Sequence, residues 1–360
     1  MTMTKKIKYY SLDNILKKDC EYNIILGKRS NGKSYAVKNY CIRRAWKSDK
    51  NRFIVLRRLA EEIKPSVIAH YFTDVPISEI TDGLCDNIIV YRGEIWACKY
   101  SDTDDKNKKI RLLGYCRALI KSPQYKSGDY TDVSDIIYEE FIAEVGARYL
   151  PAEPQELQSF VSTIARNNKI KVWLIGNTIS RICPYFTEWQ LTGIPRQAQG
   201  TIDIYAVETA AGEEIKIAVE NCEDNGTTGK MFFGASSKML DNGAWHTSKQ
   251  YPVLPRDIDE YAAIYKMVVC GYGFTFLLQL LKYQSEYVWF VAPKTTPIKP
   301  RTRVITNIFS PDLLYTVGFV PLNEGERIAF NLLSQNKVCF SDSLTAEDFL
   351  SVKKNLLLES

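Results

Sequence analysis

The chain has 360 residues, with 47 Lys+Arg against 42 Asp+Glu, two histidines, nine cysteines, 45% hydrophobic and 25% charged residues. This composition belongs to a folded chain of two or three domains and excludes wholesale disorder. Two histidines are too few for a His-rich metal site, and scattered cysteines without a C-x-x-C pair argue against zinc or a disulfide framework and for a reducing compartment.

The net charge of +5 is unevenly placed: residues 1–58 alone carry +12 and the remainder −7. A basic N-terminal part suits a phosphate or nucleic-acid partner. The first ten residues lack the apolar stretch of a secretory signal. No apolar run approaches the roughly 20 residues of a membrane span.

In chain order, residues 22–26 form an apolar run closed by Gly27, which predicts a buried strand. Residues 33–46 follow with apolar positions at helical spacing (Tyr35, Val37, Tyr40, Cys41, Ala45). Residues 52–56 predict a second strand and 87–99 a third. The acidic and lysine-rich stretch 101–109, followed by 110–116, predicts a hairpin with a charged tip. A strand at 133–141, an amphipathic helix at 154–167 and a buried strand at 171–175 complete an alternation that predicts an α/β parallel sheet. Past Pro195, residues 201–207 and 214–219 flank Ala210-Ala211-Gly212 as a hairpin. The Gly- and Asn-rich stretch 223–245 could hold a lid or linker, and Pro252 and Pro255 mark a boundary. Residues 263–270, 274–281 and 287–292 then read as three consecutive strands of an α+β domain.

One motif decides the class. Gly27-Lys28-Arg29-Ser30-Asn31-Gly32-Lys33-Ser34 matches G-x-x-x-x-G-K-[ST], and it follows a predicted strand and opens a predicted helix. Glycines let backbone N–H groups turn around phosphates, and the helix N-terminus adds its positive end. Lys33 would neutralise the β/γ oxygens of ATP and the Ser34 hydroxyl would ligate Mg²⁺.

The partner motif is Asp135-Ile136-Ile137-Tyr138-Glu139-Glu140, an apolar strand ending in acids. Glu139 would hold the Mg²⁺ through water, and Glu140 would act as general base on the attacking water. Two consecutive acids point to hydrolysis rather than kinase chemistry, because only an activated water needs the second. The strand ending Gly176-Asn177-Thr178 offers Asn177 as a sensor of the γ-phosphate, with a plain turn as the alternative.

Together the loop with Arg29 inside it, the pair Arg57-Arg58, residues 134–142 and residues 171–178 resemble the DNA-packaging (encapsidation) ATPases of phi29-type tailed phages, relatives of large terminases. The likeness covers the first 200 residues well and departs from the family at Glu139, where aspartate is usual. It implies an ASCE-type P-loop ATPase domain with a mainly parallel sheet over 1–197, a lid or linker region over 198–255, and a smaller C-terminal domain over 256–360 resembling a vestigial RNase H-like nuclease. It also implies a homomeric ring, usually of five subunits, docked on the portal of a procapsid in the host cytoplasm and driving double-stranded DNA inward. Whether an RNA adaptor takes part is left open. In such rings a neighbouring subunit supplies a cation; Arg166 fits the family's arginine-finger position and Lys126 a second trans-acting cation.

DNA contact is expected at phosphates, through Arg57, Arg58 and Lys64 or through Lys106, Lys108 and Lys109. The first group is preferred because Asp102, Asp104 and Asp105 nearly cancel the field of the second. A two-metal nuclease needs converging carboxylates, and between residues 261 and 300 there is only Glu286; nuclease activity is not expected. The competing readings are a helicase or partition-type ATPase without a capsid role, a large terminase with residual nuclease activity, and a non-motor nucleotide switch.

Overall fold

The structure, a computed structural model, describes residues 9–101, 106–126, 128–143, 149–166, 168–177, 183–194, 197–209, 212–223, 251–299, 302–306, 314–316, 321–335 and 337–358. The chain divides into two compact units.

The first unit is built on a nine-stranded sheet in the order β3-β4-β5-β2-β6-β7-β1-β9-β8. Its strands are β1 (Tyr22–Gly27), β2 (Arg52–Arg57), β3 (Asn87–Tyr91), β4 (Glu94–Ser101), β5 (Lys106–Ala118), β6 (Val133–Glu139), β7 (Lys171–Asn177), β8 (Thr201–Glu208) and β9 (Glu214–Asn221). The six central strands, β5 to β9 across the sheet, pair in parallel. Their short continuous apolar runs are what a strand covered on both faces requires. In β2, for instance, Phe53, Ile54, Val55 and Leu56 are all fully buried.

Helix α1 (Asp13–Leu16) precedes β1, and α2 (Lys33–Lys47) follows the β1 loop. Val37, Cys41, Ile42 and Ala45 of α2 pack with Ile25, Phe53, Val55, Ile137 and Trp173, which alternate along their strands and so share one face. Two short helices, α3 (Pro65–Tyr71) and α4 (Ile77–Ile80), join β2 to β3. Helix α5 (Glu153–Ala165) joins β6 to β7 and buries Leu157, Phe160, Val161 and Ile164.

The expected α/β class with a mostly parallel sheet is the observed one, and three details differ from the sequence reading. The single strand expected at 87–99 is two antiparallel strands, because Arg92 and Gly93 both adopt positive φ (53° and 76°) and reverse the chain. The lysines expected at a hairpin tip belong to β5, paired antiparallel with β4. The hairpin at 201–219, expected within the lid or linker region, is β8-β9: Ile217, Ala218 and Val219 are buried because β9 lies parallel to β1. Of the Gly- and Asn-rich stretch 223–245, all but Glu223 lies outside the described residues.

The second unit contains a six-stranded sheet in the order β14-β13-β10-β11-β12-β15. Its strands are β10 (Ala262–Gly271), β11 (Phe274–Tyr283), β12 (Glu286–Pro293), β13 (Arg303–Thr306), β14 (Leu314–Thr316) and β15 (Val338–Phe340). The short helix α6 (Pro184–Glu188) groups with this unit. Helices α7 (Glu324–Ser334) and α8 (Ser343–Leu358) supply Ala329, Phe330, Leu333, Phe349 and Val352 to a core with Met267, Leu278 and Trp289. Asn323 caps α7, its Oδ1 accepting from Glu326 N–H at 2.9 Å. Among the described residues no helix is long and apolar enough to cross a membrane.

Candidate nucleotide-binding and hydrolysis site

Strand β1 ends at Gly27, and the chain curls through residues 28–32 before Lys33 opens α2. Gly32 adopts φ 95°, a backbone that favours glycine. The curl is tight: a Cβ on Gly27 would lie 2.9 Å from Asn31 Nδ2 and 3.0 Å from Cys222 Cβ. Asn31 Oδ1 accepts from Lys33 N–H at 3.1 Å, and Asn31 C=O accepts from Tyr10 N–H at 3.0 Å, which fastens the N-terminal segment over the loop. Among the described residues, Asn31 Nδ2 is buried with no oxygen or nitrogen acceptor.

Lys33 is 4% exposed and donates to the carbonyls of Gly27 (3.0 Å) and Lys28 (2.6 Å). Burial pulls its ammonium down to about 8, opposed by Cys222 and Glu139. A buried, partly desolvated cation ringed by its own loop carbonyls is poised to take an anionic partner in their place. Lys28 is buried, whereas Arg29 and Ser30 are exposed at the loop's outer edge. Ser34 sits half-buried in the first turn of α2.

The acids arrive at the same end of the sheet. Gly27 pairs with Asn177 across β1-β7, and Glu139 with Ile175 across β6-β7. One strand therefore separates the loop from the acids, about 10 Å at normal strand spacing. Glu140 N–H donates to Ile175 C=O at 2.9 Å while its φ of 56° turns the chain off the strand, leaving its side chain 62% exposed. Glu139 is 8% exposed: its Oε1 accepts from Tyr71 O–H at 2.9 Å and its Oε2 lies 3.4 Å from Arg57 Nη2. Arg57 Nη1 lies 3.4 Å from Glu140 Oε2, so one guanidinium spans both carboxylates.

A single cleft of about 910 Å³ is lined by Arg29 to Ser34, Glu139, Glu140, Asn177 and, beyond the motif residues, Tyr9, Tyr10, Tyr35 and Asp74. The residues fit a magnesium–nucleotide pair: a hydroxyl and carboxylates are the hard oxygen donors that Mg²⁺ takes, and the buried Asn31 Nδ2 and Lys33 are donors suited to phosphate oxygens. The sequence reading missed the aromatic and Asp74 lining. Tyr9 and Tyr10 precede the motif in a segment marked only by its basic charge, and Asp74 follows β2 without any local pattern.

Two DNA candidates are turned inward. Arg57 is 12% exposed and engaged as above. The Arg58 side chain, 9% exposed, donates to Glu153 through Nε (2.8 Å) and Nη2 (3.0 Å), and to Phe141 C=O (2.8 Å). The physical reason is that β2 ends beside β6 and near the start of α5, where carboxylates from distant sequence are waiting. Lys64 is exposed just before α3, and Lys108 and Lys109 are exposed on β5. Lys109 Nζ lies 3.7 Å from the Tyr91 ring centroid. Lys106 lies in β5, its side chain outside what is described.

Arg166 and Lys126 are both exposed and lie near one another: Arg166 Nη2 donates to Gly128 C=O at 2.8 Å. That corner precedes β6, whereas Glu140 follows it. The seven residues of β6 span roughly 20 Å, and Arg166, between α5 and the start of β7, lies at the opposite end of these parallel strands from Glu140. In the second unit, β10 ends in Cys270-Gly271, and Glu326 is taken by Arg303 Nε (3.2 Å), Leu322 N–H (2.8 Å) and Tyr265 O–H.

A profile of the podovirus DNA encapsidation protein (Gp16) family matches residues 3–213. The "DNA packaging protein" of Bacillus phage phi29 and that of Bacillus phage PZA are each 30% identical over 188 residues, 52% of this chain and 51% of theirs. The chain spans about half the length of the curated relatives it matches. The solved bacteriophage Phi-29 viral genome packaging motor assembly shares its fold, with 19% identity, a TM-score of 0.59, and coverage of 97% of this chain and 99% of that one. With more than half its length matched by that profile, the chain belongs to the podovirus DNA encapsidation (Gp16) family.

Proposed function

We propose that the chain is an ATP-hydrolysing motor subunit that drives double-stranded DNA into a viral procapsid in the infected host's cytoplasm. The observation that carries this reading is the convergence of Lys33, Ser34, Glu139 and Glu140 on one cleft at the carboxyl ends of three neighbouring strands. In this reading Lys33 exchanges its loop carbonyls for phosphate oxygens, and the loop N–H groups with the α2 N-terminus bind the remaining charge. Ser34 and Glu139 are the residues that hold Mg²⁺, which when bound neutralises charge on the β/γ oxygens. Glu140, exposed to the cleft, takes the proton of the attacking water. Asn177, in register with Gly27, is the sensor of the γ-phosphate.

The far corner supports a shared site. Because Arg166 lies at the opposite end of the parallel strands from Glu140, its use in hydrolysis requires a second subunit whose cleft it faces, with Lys126 as a further cation, and a homomeric ring, a pentamer in this reading, supplies one. DNA is held through phosphates by Lys64, Lys108 and Lys109, the candidates that are exposed. The division into an ATPase domain, a linker region running to residue 255 and a vestigial nuclease-like domain beyond is part of the same proposal, with β8 and β9 counted in the ATPase sheet that they extend. Residual nuclease activity finds no support at Cys270 or at the engaged Glu326.

The test is DNA packaging by the full chain with portal-bearing procapsids. Protection of duplex DNA from nuclease should require ATP, the chain and the portal together. DNA-stimulated ATP hydrolysis with no protected DNA would favour the helicase or partition reading instead.

A further inference from the structure

A glutamate at a strand end over an open cleft has three side-chain torsions to lose before it can hold a metal in one place. Glu139 has lost them to two residues outside both motifs. Tyr71 donates its hydroxyl to Oε1 at 2.9 Å, and Arg57 Nη2 lies 3.4 Å from Oε2. Each carboxylate oxygen keeps a lone pair for the protons of metal-bound water.

Tyr71 is itself fixed from the other side. Lys38, one turn along α2 from Ser34 and 4% exposed, donates to Tyr71 C=O and to Asp74 Oδ1, both at 2.5 Å. Its ammonium also lies 4.5 Å from the Tyr71 ring centroid, with the Arg57 guanidinium 5.4 Å from the same ring. The chain of contacts thus runs from the helix that carries Ser34, through Lys38 and Tyr71, to Glu139. Among the described residues Arg57 Nε is buried without a hydrogen-bond partner, a cost that a guanidinium chosen only for packing would avoid.

We propose that Tyr71, with Arg57, is a positioning residue that fixes Glu139 relative to the Ser34 helix so that the two hold one magnesium ion. This rests on the nucleotide reading of the cleft. Groups that orient a metal-binding side chain from behind are worth about 10–100-fold in metal affinity or activity.

The experiment titrates Mg²⁺ into the full chain with a fluorescent ATP analogue and reads binding, not turnover. Tyr71→Phe removes one oxygen and keeps the ring. It should raise the Mg²⁺ half-saturation by about tenfold or more while leaving Mg²⁺-free analogue binding within about twofold. In a Glu139→Ala background the same change should add nothing, because a residue that acts through Glu139 has nothing left to position. A Mg²⁺ half-saturation unchanged in Tyr71→Phe, or the full loss repeated in the Glu139→Ala background, would overturn the proposal. Ser34→Ala separates this from failure of the nucleotide reading: if Ser34→Ala weakens Mg²⁺ and Tyr71→Phe does not, only the positioning role falls. If the unaltered chain shows no Mg²⁺-dependent binding at all, the nucleotide reading falls and the proposal with it. Should Tyr71→Phe lose its fold by circular dichroism, Arg57→Lys is read in the same titration by the same criteria.

Discussion

Replacing Glu153 by alanine tests the inward placement of Arg58 most sharply. The Glu153 carboxylate is fully buried and accepts from Arg58 Nε (2.8 Å), Arg58 Nη2 (3.0 Å), Tyr138 O–H (2.7 Å) and Leu150 N–H (2.8 Å). Glu153→Ala leaves a guanidinium of 9% side-chain exposure without its carboxylate and strips an acceptor from a fully buried tyrosine. Breaking a buried pair by removing one partner costs about 3–5 kcal/mol, and the unmade hydrogen bonds place this site at the upper end of that range. Urea unfolding followed by tryptophan fluorescence should show the loss, since Trp173 is fully buried on β7, the strand paired with β6 of the same unit. The double change Arg58→Met/Glu153→Leu should recover the part due to the uncompensated guanidinium, but not the part due to Tyr138 O–H and Leu150 N–H, which still lack their acceptor. Were Arg58 a DNA-gripping cation, Glu153→Ala would instead free it and tighten DNA binding. A loss below about 1 kcal/mol, together with tighter salt-dependent DNA binding, would refute the reasoning.

Lys33 sits at about 8, below its ordinary value of 10.5, because burial disfavours its charge. Between those values the folded chain holds fewer protons than the unfolded one, so stability without nucleotide should rise as pH rises through that window. Phosphates favour the charged form, so ATP binding at about pH 8.5 should take up a proton. Calorimetry in two buffers of different ionisation heat should show the uptake in the unaltered chain and lose it in Lys33→Met; equal heats in both buffers would contradict it. For the shared site, Arg166→Ala subunits mixed with Glu140→Gln subunits should regain ATPase activity that neither has alone, since one intact cleft can then meet one intact cation. No recovery in any mixing ratio would remove Arg166 from the reaction.

Much of the sheet was readable in the sequence because its central strands are covered on both faces. Continuous apolar runs such as Phe53 to Leu56 leave few other placements, and the phosphate-loop pattern fixes where β1 stops and α2 starts. The strand ending in Glu139-Glu140 was legible for the same reason. What the sequence hid depends on residues far apart in the chain. Arg57 and Arg58 look like a cationic pair at a strand end, and only the fold brings Glu139 and Glu153 to them from 82 and 95 positions away. Tyr71 and Asp74 lie in a short helical connection with no periodicity to mark them, so their place beside the acids came from packing alone. The reversal at Arg92-Gly93 had a local signal in Gly93, outweighed by the β-forming residues on both sides.

In the proposed reading, hydrolysis depends on Glu140 activating water in a cleft that binds nucleotide through Lys33 and Ser34. Glu140→Gln keeps the size and hydrogen-bonding shape of a side chain that is 62% exposed, so the fold and the loop should be untouched. General-base catalysis is worth about 10²–10⁴-fold. Steady-state ATP hydrolysis by Glu140→Gln should therefore fall at least about 100-fold, with ATP affinity unchanged within a few-fold. Hydrolysis that survives this change at a comparable rate would contradict the account.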